Sequence, residues 1–482
     1  MRTWIVELLV AAAVAAAIWR LMQSYARRVA RKTVLRFRPR LDRYKLTRKA
    51  EIIATLLSEP ALAHAVHEHA EAHGIPEADV WLRVRAYLDE IIPFFNILAY
   101  YRFGYGISKV LLNLMYKVSI ESVRPDPFVA LPRDAVVIYL MNHRSNADYL
   151  LVSYVLAGDV SISYAVGEWA RAFPLEHIFK SFGSYFVRRR YREPLYHTVL
   201  EQYVQLITRK GVTQGIFPEG GLTRDGRLRP VKIGLLDYVL ATARDPGIRA
   251  RMYVVPVALN YDRVLEDRSL LRELSAKDPG AARVSRWSQF SEVVSYINSN
   301  AWRLLTRRWQ RNGRAAVCIG EPYPVASWLD QLEADGTRLF DLPRHERLGR
   351  VQILCDWAMQ QIGSLVPVTA VALTCAALQS FDGEFVTRQA LLERMRDMRD
   401  VLKDMNARVL RADRDIEETF DRAHRMLRMR HVLGEAGDGY LILPRGRELI
   451  SYYANSIVHL LGPFAGGVRA RDSLPVDQFL GM

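Results

Sequence analysis

The stretch Ala135–Leu156 reads AVVIYLMNHRSNADYLLVSYVL. Its first seven residues, Ala135–Met141, are apolar and β-rich without polar alternation, which predicts a short strand buried on both faces. From Ala147 to Leu156 the pattern turns helical. A buried strand that runs through a short turn into a helix is the building unit of an α/β sheet. The turn holds Asn142, His143, Arg144, Ser145, Asn146 and Asp148. The ends of strands in such sheets are where side chains meet ligands.

Further apolar strands are expected at Ile162–Val166, Tyr185–Val187, Thr213–Phe217, Tyr253–Leu259 and Ala315–Ile319, with helices between them at Leu195–Arg209 and Val231–Ala243. This alternation predicts an α/β domain of about residues 119–325, a mixed sheet flanked by helices. The region before it, from Arg48 to Tyr101, has helical periodicity broken at Gly74-Ile75-Pro76. It contains HAVHEHAEAH, with His64, His67, His69 and His73; the pattern H-E-x-x-H is absent, so a solvated helix face is expected rather than a metal site. Beyond Trp328 the chain is mostly helical, at Val351–Ile362 and Arg388–Met405, with a small strand pair at Gly437–Leu443. Three cysteines, Cys318, Cys355 and Cys375, cannot all pair with one another, and they suit a reducing compartment.

Charge is concentrated at one end. Between Arg20 and Lys49 stand twelve basic residues and one acidic residue, Asp42, so eleven of the chain's fifteen net positive charges fall there. A nucleic-acid enzyme would carry basic patches on its folded domain as well, so no nucleic-acid partner is expected. The block follows Trp4–Leu21, WIVELLVAAAVAAAIWRL, an apolar run of about 18–20 residues with its flanks, close to the length a bilayer needs. Trp4 and Trp19 sit near its ends, as interfacial aromatics do. Glu7 and the many alanines weaken the run, and a cleaved signal peptide or an interfacial helix are the other readings. The basic block favours an anchor at residues 1–24 with everything after it cytoplasmic, and anionic lipid headgroups as partners. The division expected is then an anchor at 1–24, a basic and helical region at 25–118, the α/β domain at 119–325 and a helical domain at 326–482.

Four constellations carry chemistry. In the first, Asp148 lies in the first turn of a helix, where the dipole favours a carboxylate, and the turn can bring it back onto His143. One ring nitrogen would then be held and the other would act as a base. A capping aspartate beside a loop histidine would have the same spacing. The second is Gly183-Ser184-Tyr185-Phe186-Val187-Arg188-Arg189-Arg190, an anion site or a solvated edge. The third is Phe217-Pro218-Glu219-Gly220-Gly221-Leu222-Thr223-Arg224-Asp225-Gly226-Arg227. Its glycines allow close backbone approach to an anion, and Arg224, Arg227 and Lys232 could bind phosphate; a glycine-rich surface turn is the other reading. The fourth is Val254–Leu259, a strand whose Pro256 limits its pairing.

In order and spacing these four resemble the motifs of the glycerolipid acyltransferase superfamily: H-x4-D, G-x-x-F-x-x-R, F-x-E-G, and an apolar strand with proline. His143 and Asp148 match the first, Gly183, Phe186 and Arg189 the second, Phe217, Glu219 and Gly220 the third, and Pro256 the fourth. HRSNADYLLVSY, from His143 to Tyr154, is most similar to the glycerol-3-phosphate and dihydroxyacetone-phosphate branch, as are the chain's length and YYANSIVHLL, from Tyr452 to Leu461. The resemblance implies transfer of a fatty acyl group from acyl-CoA or acyl carrier protein to the sn-1 hydroxyl of glycerol 3-phosphate at the inner membrane. His143 would be the base and Asp148 its partner; Glu219 and Arg189 would bind the acceptor, with Arg144, Gly183, Phe186, Gly220 and Gly221 also in the substrate site. The thioester is already activated, so neither metal nor cofactor is implied. Backbone N–H groups near the first motif are the expected oxyanion donors.

One position departs. The family reads E-G-x-R-S-R in the third motif, and its first arginine is assigned to the substrate phosphate; here that position is Leu222. Either Arg224, Arg227 or Lys232 takes over the phosphate, or the acceptor differs, dihydroxyacetone phosphate or a lysophospholipid being the alternatives. A serine hydrolase lacks its G-x-S-x-G elbow here, and a non-catalytic membrane adaptor is the reading from another class.

Overall fold

The computed structural model of the chain describes residues 44, 47–93, 105–122, 131–132, 134–156, 162–167, 180, 183–188, 191–275, 311–444, 446–462 and 464. In chain order the elements are α1 (Lys49–Leu57), α2 (Pro60–His73), α3 (Glu77–Ile91), α4 (Tyr105–Met115), β1 (Lys117–Ser122), β2 (Val136–Met141), α5 (Asp148–Leu156), β3 (Ser163–Gly167), β4 (Tyr185–Val187), α6 (Pro194–Arg209), β5 (Gln214–Ile216), α7 (Gly234–Leu240) and α8 (Pro246–Arg249). There follow β6 (Met252–Tyr261), α9 (Asp267–Ser275), β7 (Arg314–Ile319), β8 (Tyr323–Pro324), α10 (Val325–Leu332), α11 (Arg344–Leu365), α12 (Ala370–Gln379), β9 (Phe385–Thr387), α13 (Arg388–Asp404), α14 (Ile416–Met429), β10 (Leu433–Ala436), β11 (Gly439–Ile442) and α15 (Gly446–Ala454). They form two compact units, one from Met1–Leu111 and Val152–Gln214, the other from Leu112–Leu151 and Gly215–Met482.

In the first unit α2 starts on Pro60, where a missing N–H costs nothing, and ends at Gly74, whose φ of +61° makes the left-handed cap. This is the break expected at Gly74–Pro76. Helix α3 buries Val80, Val84, Tyr87, Leu88 and Ile91, a single helical stripe. Both helices pack on α6, and β3 pairs in parallel with β4 from Ala165↔Tyr185. The histidine cluster divides. His64 and His67 are exposed and paired with Glu68, Glu71 and Glu77. His69 departs from the expected solvated face: it is buried, stacks on His73 at 4.1 Å and accepts from Arg83 Nη1 at 3.3 Å. Burial, with His73 beside it, lowers its pKa. Among the described residues no group of three or more His, Cys, Asp or Glu side chains could hold a metal ion.

The second unit holds a mixed sheet. β2 runs parallel to β6 from Val136↔Met252, β6 runs antiparallel to β7 from Val257↔Ile319, and β7 runs parallel to β1. All six side chains of β2 are buried, as an apolar run without alternation requires. Pro256 lies in the interior of this sheet. β6 pairs with β8 at Tyr253 and Val254 and with β7 only from Val257 onward, so the proline falls in the gap between the two partners. Its carbonyl takes the N–H of Gly320 at 2.9 Å. Helices α10 and α11 pack on β6. The C-terminal part follows the chain order of a winged helix: α12, β9, α13, α14, then the hairpin β10–β11, with β11 between β10 and β9. Of the strand pair expected at Gly437–Leu443 only the second strand, β11, falls there; its partner β10 precedes Gly437. Thr369 and Thr387 cap α12 and α13 through their hydroxyls. The part is tied to the sheet by Asn260, which donates to Pro367 and Ser456, and by Asp262, which accepts from the N–H groups of Val371 and Arg314.

The cysteines are free and buried, and burial pushes the thiols of Cys318 and Cys355 up to about 11 and about 12. The apolar run Trp4–Leu21, and with it the expected anchor, lies outside the described residues, as does nearly all of the basic block. Among the described residues no helix is long and apolar enough to cross a membrane. The mixed sheet and its helices are therefore observed, and the membrane helix is not.

An ion pair between a buried Asp237 and a half-buried Arg347 joins α7 to α11: Arg347 Nε and Nη2 donate to the two oxygens of Asp237 at 3.0 and 3.1 Å. Removing one partner of such a pair strands the other charge, whereas replacing both with apolar groups does not. Asp237→Ala is expected to cost about 3–5 kcal/mol. The double variant Asp237→Leu with Arg347→Met should recover most of it, as read by thermal unfolding. Equal losses in the two variants would contradict this account.

Candidate active site

Strand β2 ends at Met141, but its ladder does not stop there. The Asn142 side chain accepts from the N–H of Leu259 at 2.7 Å and donates to its carbonyl at 3.0 Å. An amide side chain thus stands in for one more residue of strand and fixes where the following turn begins.

His143 is held by its backbone on both sides. Its N–H donates to Glu219 Oε1 at 2.9 Å, and its carbonyl accepts from the N–H of Thr223 at 3.1 Å. The Phe217–Arg227 loop therefore supports the histidine directly. The imidazole is 1% exposed. It stacks on Phe217, with centroids 4.1 Å apart, and meets the edge of Tyr149 at 5.5 Å. Its Nδ1 lies 3.0 Å from Asp148 Oδ2. Asp148, fully buried at the first position of α5, collects three more donors: Arg144 N at 2.7 Å and Ser145 N at 3.0 Å on Oδ2, and the Tyr261 hydroxyl at 2.5 Å on Oδ1. Both of its oxygens are thus placed as acceptors. With Nδ1–H directed at it, the imidazole keeps its lone pair on Nε2, the arrangement of a general base.

The turn's backbone N–H groups, expected as oxyanion donors, are all engaged within the protein. His143 donates to Glu219, Arg144 and Ser145 to Asp148, Asn146 to Glu266 at 3.2 Å, and Ala147 to the Ser145 hydroxyl. Glu266 also accepts from Ser145 Oγ at 2.7 Å. Desolvation holds its carboxyl up to about 7. Tyr261 and Glu266 were not singled out by the sequence, since each meets the turn from more than a hundred residues away.

Glu219, expected to touch the acceptor, has both oxygens on backbone: Oε2 accepts from Arg229 N at 3.1 Å while Oε1 holds His143. It braces the two motif loops together. Gly220 takes a φ of +65°, and a Cβ there would stand 2.7 Å from Lys232 Cδ, so the lysine lies across the bare backbone. Gly221 follows it in the same bend. Arg224 Nε is paired with Glu273 on α9 at 3.0 Å. Arg227, half-buried, receives the Thr223 hydroxyl on its carbonyl at 2.7 Å. Arg144 is buried, donates from Nη1 to the carbonyl of Gly226 at 2.5 Å and lies over the Tyr452 ring at 5.1 Å. At Gly226 a Cβ would stand 1.9 Å from the Tyr452 carbonyl oxygen, and Asn455 donates to the carbonyl of Asp225. Helix α15 and the residues after it thus close directly on the third motif. Gly183 and Phe186 belong to the first unit, where Gly183 turns with a φ of +79° and Phe186 is buried under Lys180. Arg189 lies outside the described residues; its neighbour Arg188 grips Glu90 with Nε at 2.8 Å and Nη2 at 2.5 Å.

Burial raises the Glu219 carboxyl from 4.5 to about 8, against the pull of its two N–H donors and of Arg144 and Arg229. A folded pKa above the unfolded one favours folding only while the group is protonated. That contribution is whole below about pH 4.5 and fades as pH rises to about 8. Glu219→Gln is neutral at every pH and lacks this slope. The melting temperature of the wild type, relative to that of Glu219→Gln, should therefore fall between pH 5 and 8.5. A constant gap would contradict the raised pKa.

Comparison with known proteins places these loops in a family. Residues 128–260 match the acyltransferase family model, and residues 299–465 match the model of the glycerol-3-phosphate acyltransferase C-terminal region. A glycerol-3-phosphate acyltransferase of Aeromonas hydrophila is 28% identical over 424 residues, 86% of this chain and 50% of that protein. Those of Pseudoalteromonas translucida and Shewanella woodyi are 25% and 26% identical, over 86% and 90% of this chain and 50% and 53% of theirs. The chain spans about half the length of the curated relatives it matches. A solved 1-acyl-sn-glycerophosphate acyltransferase from Thermotoga maritima covers 45% of this chain and 70% of its own, at 16% identity and a TM-score of 0.26, too low to bear on the fold. The chain thus carries an acyltransferase domain followed by a glycerol-3-phosphate acyltransferase C-terminal region.

Proposed function

We propose that the chain is a glycerol-3-phosphate O-acyltransferase that works at the cytoplasmic face of the cell membrane, where residues 1–24 anchor it and the basic block meets anionic headgroups. The names of its relatives support this activity, and the observation that carries it is the His143–Asp148 pair, 3.0 Å apart inside a buried aromatic box. His143 Nε2 takes the proton of the sn-1 hydroxyl as that oxygen attacks the thioester carbonyl of acyl-CoA or acyl carrier protein. The carbon–sulfur bond then breaks, and the imidazolium returns the proton to the departing thiolate. The products are the ester and a free thiol. Burial of the imidazole keeps bulk water, the competing nucleophile, away from the base.

The acceptor phosphate needs cationic partners. Arg227 and Lys232 flank Leu222, which replaces the family's arginine, and Arg224, held through Nε by Glu273, can join them with its other N–H groups or by exchanging Glu273 for the phosphate. A dianion is a stronger partner than one carboxylate, and a charge-assisted contact is worth about 1.5–3 kcal/mol. The glycerol-3-phosphate reading is favoured over a lysophospholipid acceptor by the relatives' names; Leu222 is the residue that speaks for a different acceptor.

A thiol-release assay tests this with long-chain acyl-CoA and acyl carrier protein as donors. The acceptor panel comprises glycerol 3-phosphate, dihydroxyacetone phosphate, a lysophospholipid and an uncharged alcohol. Glycerol 3-phosphate is expected to be the best acceptor. His143→Ala should lower the rate by about 10²–10⁴ with the melting temperature preserved, and Arg224→Ala should raise the acceptor KM with little change in the donor KM. A well-folded His143→Ala enzyme with near-wild-type turnover would sink the mechanism. Wild-type enzyme that releases no thiol with any acceptor would favour the adaptor reading.

A further inference from the structure

We infer that Tyr261 is a third member of the His143–Asp148 pair, a positioning residue that holds Asp148 by its outer oxygen and sets how tightly His143 binds a proton. The inference rests on the reading of His143 as the base. None of the four motifs contains Tyr261.

The geometry is specific. Asp148 Oδ2 already serves His143 Nδ1 and two backbone N–H groups, so Oδ1 is the oxygen left to fix the plane of the carboxylate. The Tyr261 hydroxyl donates to it at 2.5 Å. Tyr261 is the last residue of β6, is fully buried, and is paired through its backbone register with Ala315 of β7. Its ring packs on that of Tyr116 at 5.5 Å, and the Tyr116 hydroxyl is itself anchored on the carbonyl of Arg263 at 2.7 Å. The phenol therefore has one direction in which to point.

The consequence is electrostatic. Every donor on a carboxylate stabilises its charge and so weakens its hold on a neighbouring imidazolium. In a buried site such a bond is strong. Burial, reinforced by the charge of Asp148, holds the phenol pKa well above 10, so the proton stays on Tyr261 as a donor. Without that hydroxyl Oδ1 becomes a buried acceptor with its donor removed, Asp148 grips the imidazolium harder, and His143 becomes more basic. Among the described residues the other charged or titratable groups around the pair are Arg144, Tyr149, Glu219, Glu266, Tyr116 and Tyr452. All are retained when Tyr261 alone is changed.

The test is the pH profile of kcat/KM between pH 5 and 9 for wild-type enzyme, Tyr261→Phe, and enzyme carrying 3-fluorotyrosine at position 261. In Tyr261→Phe the acid limb should move up by about half to one pH unit, and plateau turnover should fall about ten-fold. Both KM values should stay within about two-fold, because neither substrate touches the phenol. The fluorinated ring, a better donor of nearly the same volume, should move the limb the other way. A purely structural role would lower activity and melting temperature with the limb unmoved in both variants, and that result overturns the inference. If Tyr261→Phe does not fold, the fluorinated enzyme decides alone. Wild-type enzyme that transfers to no acceptor overturns the reading of the base and this inference together; an active wild type whose limb ignores Tyr261 overturns only the inference.

Discussion

The carboxylate of Asp148 is the point on which the second unit converges. Four donors reach it: the imidazole of His143, the N–H groups of Arg144 and Ser145, and the hydroxyl of Tyr261. A carboxylate buried this deeply is tolerable only when both of its oxygens are answered by donors. To answer them, the turn after β2 must curl back over the first residue of α5, and β6 must end where its tyrosine can reach the same carboxylate. The backbone of the turn is consumed in the process, which is why its N–H groups are not left over for a substrate.

A second carboxylate does the matching work from the other side. Glu219 spends its two oxygens on the N–H groups of His143 and Arg229, so the glycine-rich loop and the histidine turn behave as one piece. Residues that resemblance places against the substrate can thus be spent on shaping the loops that meet it. Arg224 shows the same economy, tied to Glu273.

Much of this was legible in the sequence where the signal was local. The buried strand, the turn and the helix could be read from AVVIYLM and the residues after it, and a spacing of five residues sufficed to bring His143 and Asp148 together. Strand structure near Gly437 was expected, though the pair begins earlier, at Leu433. What escaped was whatever depends on a partner far along the chain. Asn142 looks like any turn residue until Leu259 lies beside it. Tyr261 reads as the end of an apolar strand, and Glu266 as a loop acid. His69 belongs to a segment whose histidines look uniformly solvated, yet among them it alone is buried, on the covered stripe of α2 with Leu62, Val66 and Ala70. Pro256 suggested limited pairing, and the structure accommodates it inside the sheet by letting β6 change partners around it.

Gly226 and Asp225 are packed under Tyr452 and Asn455, and the hydrogen bond from Asn455 to Asp225 spans 230 residues. A ribosome adding about 5–20 residues per second needs roughly ten to fifty seconds to cover that distance. Through that interval the nascent chain carries the histidine, its carboxylate and the loop beside them, but Asp225 and Gly226 lack the cover of Tyr452 and Asn455. Maturation therefore runs against the direction of synthesis. The chemistry is encoded early, and the surface that shapes it arrives with α15 and the residues after it.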